Sequence, residues 1–352
     1  MSVLKIIATH PRDWAHGGYK LKDIEVRHVE LGGKTPTRMD GNVSYDGIGQ
    51  VVTEDGFANL RDKVTKFQPH ILFFGIHMGF DERQLKLLRA RCKHLKFVMH
   101  FTDQRPSVAR WVKAHGDMLD LLLITNLDAD DHKMYEKWFG KNITRTFYDG
   151  VSTKEFWPRP TPIKYDCIFG GNNFWGLNRM LEEQKRNHPA PWIRKFTGAQ
   201  FREEFLLEAS DMFNVIIRGQ TGWDSLKETI NLQPMVFHPN YLKALREAKI
   251  ILNTINVQRH GLLTRRFLRS MASGRLFMTE YCSGMENWFT NHKHLVWFKT
   301  IEEGLDLIRY YLDHNSERER IARLGRKEML ERHTFRHRLK EFAELMRREF
   351  NV

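Results

Sequence analysis

The sequence predicts an α/β fold of two doubly wound, mainly parallel-sheet domains facing a central cleft. Three observations predict it. Short apolar runs alternate with helix-period segments along almost the whole chain, the pattern of repeated βαβ units. A proline-rich break near residue 158 divides that alternation into two similar halves. The length, 352 residues, is enough for two cores of ordinary domain size.

In the first half, LKIIATH (4–10), DIEVRHV (23–29), HILFFGI (70–76), LKFVMHF (95–101) and DLLLITN (120–126) read as strands. Each is a short run of apolar β-formers. Amphipathic stretches such as ERQLKLLRARCKH (82–94) and DDHKMYEKWFG (130–140) read as crossover helices. The segment FYDGVSTKEFWPRPTP (147–162), with Pro158, Pro160 and Pro162 clustered, reads as a linker. Alternation then restarts with YDCIFGG (165–171), FNVIIRG (213–219), AKIILNT (248–254), RLFMTEY (275–281) and LVWF (295–298). The tail from Ser316 to Val352 reads as two basic amphipathic helices, with Leu330, Phe335, Leu339, Phe342 and Leu345 as a buried stripe. The expected division is a first domain over 1–157, a second over 158–334, and a terminal helix over 335–352 returning to the first domain.

A hydrophobic content of 41% with 12% aromatic residues belongs to a folded globular chain. No apolar run approaches membrane-spanning length, and the one in MSVLKIIATH is too short for a signal peptide. Cys92, Cys167 and Cys282 lie far apart with no CxxC pair. That spacing argues against a disulfide framework or a zinc site and fits a cytoplasmic location. The charge is more telling: 56 Lys and Arg against 43 Asp and Glu give +13. Such an excess favours polyanionic partners, nucleic acid or an anionic membrane surface, although solvated basic helix faces produce it too. Oligomeric state leaves no signal in the sequence.

Four stretches carry candidate chemistry. KFVMHFTDQRP (96–106) puts Asp103 at the carboxyl end of a buried strand, where open α/β sheets place their ligands. Asp103 is there a catalytic carboxylate or, with Thr102, the cap of a following helix. Gly170-Gly171-Asn172-Asn173 lies between a strand and a helical segment, so backbone N–H groups can approach a phosphate; a plain tight turn reads equally well. GLLTRRFLRSMASG (261–274) is a second such turn. Arg265 and Arg266 open its helix against the helix dipole, and a bound diphosphate would offset that placement. Asp128-Ala129-Asp130 reads as a helix cap rather than a metal-binding pair. His333 and His337 lack a third ligand and read as surface histidines.

In this order the motifs resemble those of the GT-B glycosyltransferases. FYDGVSTKEFWPRP is similar to their interdomain hinge. The run from YLKALREAKIILNT through RRFLRSMASGRLFMTEYCSGMENWF to GRKEMLERHTFRHR is similar to their donor-binding half, especially in the spore-maturation-protein-like group. HFTDQRP (100–106), YDCIFGGNNFWGLNR (165–179) and LLTRRFLRSMAS (262–273) resemble the T-even phage DNA β-glucosyltransferases more closely.

The resemblance implies two Rossmann-like domains, the first for acceptor and the second for nucleotide sugar. It implies inverting transfer from a nucleotide sugar, UDP-glucose being the implied donor, to the hydroxyl of a 5-hydroxymethylated pyrimidine in duplex DNA. Asp103 matches the family's catalytic base. Gly170, Gly171, Asn172, Asn173, Arg179, His238, Leu263, Thr264, Arg266 and Arg269 fall around the donor, Arg179 with one residue inserted in the turn. Arg105, Arg110 and Lys113 are placed to hold DNA phosphates. No cofactor or metal is required, and Mg²⁺ would at most assist product release. Two alternatives stand: a bacterial GT-B enzyme acting on a surface polysaccharide or small molecule, and a non-catalytic DNA-binding relative. One departure is clear. Arg269 occupies the position where these enzymes usually carry a glutamate for the ribose hydroxyls, and arginine accepts no hydrogen bonds. With Gly261 and Arg269 at the two positions of the E-x7-E pattern of retaining relatives, that pattern is absent, which favours inversion.

Overall fold

The structure is a computed structural model that describes residues 3–9, 21–29, 31, 50–75, 78–101, 116–154, 156, 160–183, 198–236 and 240–352. The chain divides into two compact units, Met1–Ser152 with Phe335–Val352, and Thr153–Thr334.

The first unit runs β1 (Leu4–Ala8), β2 (Ile24–His28), β3 (Gln50–Val51), α1 (Glu54–Phe67), β4 (Ile71–Gly75), β5 (Met78–Gly79), α2 (Glu82–Arg91), β6 (Lys96–Phe101), β7 (Leu121–Ile124), α3 (Ala129–Phe139) and β8 (Thr144–Thr146). Six strands form one parallel sheet in the order β2-β1-β4-β6-β7-β8, and β3 pairs with β5 separately. The central strands ILFFG, KFVMHF and LLLI are apolar nearly throughout because both faces of the sheet are covered. Leu72, Phe74, Phe97, Met99 and Leu122 face Leu60 and Val64 of α1, Leu85 and Leu88 of α2 and Tyr135 of α3. Local chemistry starts these helices. The Thr53 hydroxyl accepts from the Gly56 N–H, and Asp81 with Gln84 forms a capping box.

The second unit runs β9 (Tyr165–Gly170), α4 (Phe174–Glu183), α5 (Ala199–Met212), β10 (Val215–Gly219), β11 (Asn231–Pro234), α6 (Asn240–Arg246), β12 (Ala248–Asn253), α7 (Arg265–Ala272), β13 (Leu276–Glu280), β14 (Val296–Phe298), α8 (Ile301–Asp313) and α9 (Asn315–Arg332). Its sheet is also parallel, in the order β11-β10-β9-β12-β13-β14. That is the 3-2-1-4-5-6 order of dinucleotide-binding folds, with its switch point between β9 and β12. The two edge strands β8 (TRT) and β11 (NLQP) carry no apolar run, so the pattern of apolar residues alone does not reveal them.

The basic tail separates into its two helices. α9 stays with the second unit, where Gly325 permits close approach to the His294 carbonyl, 2.0 Å from any added Cβ. The last helix, α10 (Phe335–Phe350), belongs to the first unit. It covers the second face of that sheet with Phe335, Leu339, Phe342, Leu345 and Met346, packed on Leu4, Ile6, Phe73, Val98 and Leu123. The Phe342 ring lies 4.7 Å from Phe73 and 5.7 Å from Phe147. Arg145 grips Glu349 with two bonds of 2.9 and 2.8 Å, and Arg347 reaches Asp23 at 2.7 Å. Leu330, expected in the same stripe, lies on α9 and is half-buried. Among the described residues no helix is long and apolar enough to cross a membrane, and all three cysteines are buried and free.

Phe342→Ala removes a ring packed on both Phe73 and Phe147, so it should cost the first unit about 3–5 kcal/mol. Equilibrium urea unfolding should show that loss while the transition of the second unit stays in place. A pH effect belongs to the same unit. The Lys5 N–H donates to His70 Nδ1 at 3.0 Å, which requires an unprotonated nitrogen. Burial, then His94 and Lys5, hold the His70 pKa below 6.5. Its contribution to stability is therefore full above pH 6.5 and is lost as pH falls through the depressed folded value. His70→Asn keeps an acceptor without the titration and should flatten that part of the stability–pH curve.

Candidate functional site

The carboxyl end of β9, beside the strand-order switch, passes into the turn Gly170-Gly171-Asn172-Asn173. Glycine is needed there because other groups come close. A Cβ on Gly171 would stand 2.5 Å from Arg266 Nη1 and 3.0 Å from the Phe169 ring; one on Gly170 would stand 3.3 Å from the Tyr241 ring. Side chains tie back the carbonyls of three successive residues. Arg266 Nη1 donates to the Gly170 carbonyl at 2.6 Å, Trp223 Nε1 to Gly171 at 2.9 Å, and Arg202 Nη1 to Asn172 at 2.9 Å.

Arg266 comes from the first turn of α7. The Thr264 hydroxyl caps that helix by accepting from the Phe267 N–H at 3.3 Å, and fully buried Leu263 anchors the approach to it. The guanidinium sits 5.6 Å from the Phe169 ring. Burial pulls its pKa down, and neighbouring Tyr241 acts the other way. Among the described residues no carboxylate pairs with Arg266. Arg269 follows one turn later on the same face of α7, and its charge, after that of Arg266, reaches the half-buried Tyr241.

The other expected donor residues build the turn. Asn172 Oδ1 accepts from the Gln220 and Thr221 N–H groups at 3.4 and 3.3 Å. Asn173 is wholly buried; its Oδ1 accepts from the Gly176 N–H at 3.0 Å and its Nδ2 donates to Glu203. Arg179 is ion-paired to the same Glu203. The N–H groups of Gly171 and Asn173 donate to the Arg218 and Thr221 carbonyls at 3.0 and 2.9 Å. Arginine charge, rather than glycine N–H, is thus the main resource for an anion at this turn.

Asp103, Arg105, Arg110, Lys113 and His238 lie outside the described residues. β6 leads toward the first four and is buried up to Phe101, with His100 Nε2 3.2 Å from the Phe147 carbonyl. Asp128 is the cap of α3, its side chain accepting from the Asp130 and Asp131 N–H groups at 3.1 and 3.3 Å. His333, expected on the surface, is buried against Phe289 with ring centroids 5.5 Å apart, because α9 turns there into the crossing to α10. Among the described residues no group of three or more His, Cys, Asp or Glu side chains is placed to hold a metal ion.

Sequence reading missed Arg202, Tyr241, Trp223 and Glu280. Glu280 ends β13 and accepts from the Ile255 N–H at 2.7 Å and from Gln258 Nε2 at 2.6 Å, ordering the loop between β12 and α7. Burial raises its pKa, and those two bonds pull it back. An acid closing the run RLFMTEY is the same strand-end signal that singled out Asp103, and it was available. The other three are distant in sequence from the turn they touch and carry no such mark.

Residues 199–344 match the Glycosyl transferase-like family, a segment from α5 into α10 that contains Arg266 and Glu280. No curated protein sequence matches the chain. Solved structures similar to it include sucrose-phosphate synthase from Thermosynechococcus elongatus, at 10% identity and TM-score 0.59 over 100% of both chains. A glycosyltransferase from Rickettsia africae gives 9% identity and TM-score 0.56 over 99% of each chain. HepE of Anabaena in complex with UDP gives 10% identity and TM-score 0.54 over 98% of this chain and 99% of that one. At these identities the structural likeness speaks for the fold. The fold is that of the GT-B glycosyltransferases, and the match over residues 199–344 is to the same class of enzyme. These likenesses bear on that class as a whole and lend nothing to DNA β-glucosyltransferases in particular.

Gly171→Ala places a methyl group 2.5 Å from Arg266 Nη1 and 3.0 Å from the Phe169 ring, so the Arg266 end must shift. The thermal midpoint should fall by only a few degrees.

Proposed function

We propose that the chain transfers a sugar from a nucleotide sugar to an acceptor hydroxyl, with the nucleotide diphosphate held at the turn after β9 by Arg266. One observation carries this reading: a half-buried guanidinium with no carboxylate partner among the described residues, fixed to the Gly170 carbonyl beside the strand-order switch. A desolvated cation lacking a counter-ion is costly, and a diphosphate would supply the missing charge. Arg266, in a position built before the substrate arrives, would stabilise negative charge growing on the leaving phosphate. Gly170 and Gly171 allow the close approach. Asn172, Asn173 and Arg179 shape the turn, Leu263 and Thr264 set α7, and Arg269 and His238 are assigned to the nucleoside side. The UDP in the HepE complex supports uridine as the base.

Asp103 is assigned as the base. Its carboxylate takes the proton of the acceptor hydroxyl while that oxygen attacks the anomeric carbon, and the bond from that carbon to the diphosphate oxygen breaks, inverting the centre. For the acceptor, likeness to a sucrose-phosphate synthase favours a carbohydrate hydroxyl. The +13 charge favours a second reading, a hydroxymethylated pyrimidine in duplex DNA held by Arg105, Arg110 and Lys113.

The deciding experiment measures nucleoside diphosphate release from UDP-glucose and other nucleotide sugars. The acceptors are oligosaccharides, hydroxymethylcytosine duplex DNA and the same duplex unmodified. Release with oligosaccharide alone supports the first acceptor, and release that needs the hydroxymethyl group supports the second. A protein that neither binds nor hydrolyses any nucleotide sugar is not the enzyme proposed. Asp103→Asn should reduce release at least 100-fold while leaving UDP affinity unchanged.

A further inference from the structure

We propose that Arg202 is a positioning residue for the nucleotide diphosphate: from α5 it fixes the Asn172 carbonyl and adds a second unneutralised positive charge to that of Arg266. The inference rests on the donor site proposed above and gives it a second cation.

Arg202 is 1% exposed, among the most deeply buried large side chains in the protein. Its guanidinium makes three bonds: Nε to the Thr254 hydroxyl at 2.8 Å, Nη2 to the Thr254 carbonyl at 2.9 Å and Nη1 to the Asn172 carbonyl at 2.9 Å. All three acceptors are neutral. Its neighbour Glu203 turns instead to Arg179 and Asn173. Among the described residues no carboxylate lies within ion-pair distance of Arg202. The two cations are coupled through one ring, for the Arg202 and Arg266 guanidiniums lie 5.2 and 5.6 Å from the Phe169 centroid.

Trp223 holds the Gly171 carbonyl without a charge, whereas the guanidinium of Arg202 both joins Asn172 to Thr254 and brings a positive charge to the turn. What the guanidinium adds is charge, at the cost of desolvating it. That cost shows in its proton affinity: burial first, then Arg266, pull the Arg202 pKa well down, while Glu280 acts in the opposite sense. Glu280 is itself buried, which raises its pKa, and its two oxygens already accept from the Ile255 N–H and Gln258 Nε2. Arg202 and Arg266 thus grip carbonyls two residues apart in one turn, and among the described residues neither is ion-paired to a carboxylate. A diphosphate at that turn offsets both charges at once, whereas the nucleoside alone offers neither of them a partner.

The test compares UDP with uridine on the wild type, Arg202→Met and Arg202→Lys by titration calorimetry. Arg202→Met should lower UDP affinity about 10- to 100-fold and leave uridine affinity where it was. Arg202→Lys keeps the charge but cannot bond Asn172 and Thr254 together, so it should fall between the two. Equal loss for UDP and uridine would mark a merely structural residue and overturn the proposal, as would no loss for either. If Arg202→Met does not fold, Arg202→Lys decides by the same comparison, a UDP loss of about threefold or more at constant uridine affinity supporting the role. Wild-type protein that binds none of UDP, ADP and GDP removes the donor site itself. Wild-type binding with Arg202→Met unchanged removes only Arg202 from it.

Discussion

The second unit is organised around the need to hold the turn after β9 rigid with its carbonyls engaged. Three successive carbonyls take donors from α7, from the segment after β10 and from α5. Each donor side chain needs its own support. Thr264 sets α7, Gly222 at φ 80° lets the Trp223 segment pass within contact of the Asn173 carbonyl, and Thr254 holds the far side of Arg202. A Cβ at Gly222 would stand 1.8 Å from that carbonyl, so the path tolerates no side chain. Pre-organisation of this kind removes the need to order the loop when an anion arrives.

Much of the fold was legible because parallel strands buried on both faces are unbroken apolar runs. ILFFG, LLLI and IILN admit few other readings, and the clustered prolines mark where the alternation restarts. Edge strands escaped: TRT and NLQP pair on one side only, so burial imposes little on their composition. In the site, glycines and arginines were visible as types, but their division of labour was not. Asn172, Asn173 and Arg179 look like ligand groups in sequence because the Glu203 and Thr221 that engage them lie some 24 to 49 residues away. Arg202 was invisible for the converse reason. An arginine inside the helix AQFREEFLLEASDM reads as a solvated residue until its burial is known.

The tail shows how a single helix can belong to the domain it does not follow. α10 supplies the apolar cover for one face of the first sheet, and without it Leu4, Ile6, Phe73 and Val98 would meet solvent. The chain therefore crosses between its units twice, at Ser152–Thr153 and at Thr334–Phe335. The Phe335 N–H donates to the Val151 carbonyl at 3.0 Å, so the two crossings are bonded side by side.

Glu280 sharpens the meaning of Arg269. Where a glutamate on α7 is absent, the nearest available carboxylate in the same sheet is the natural substitute, and Glu280 at the end of β13 is such a group. Its two oxygens, however, already accept from the Ile255 N–H and Gln258 Nε2, and burial raises its pKa. A carboxylate engaged on both oxygens by its own loop has less acceptor capacity left for ribose hydroxyls. The loss at Arg269 is thus not repaired by Glu280. If the turn after β9 holds a nucleotide diphosphate, as proposed, the phosphates are the part of it that Arg266 and Arg202 can offset.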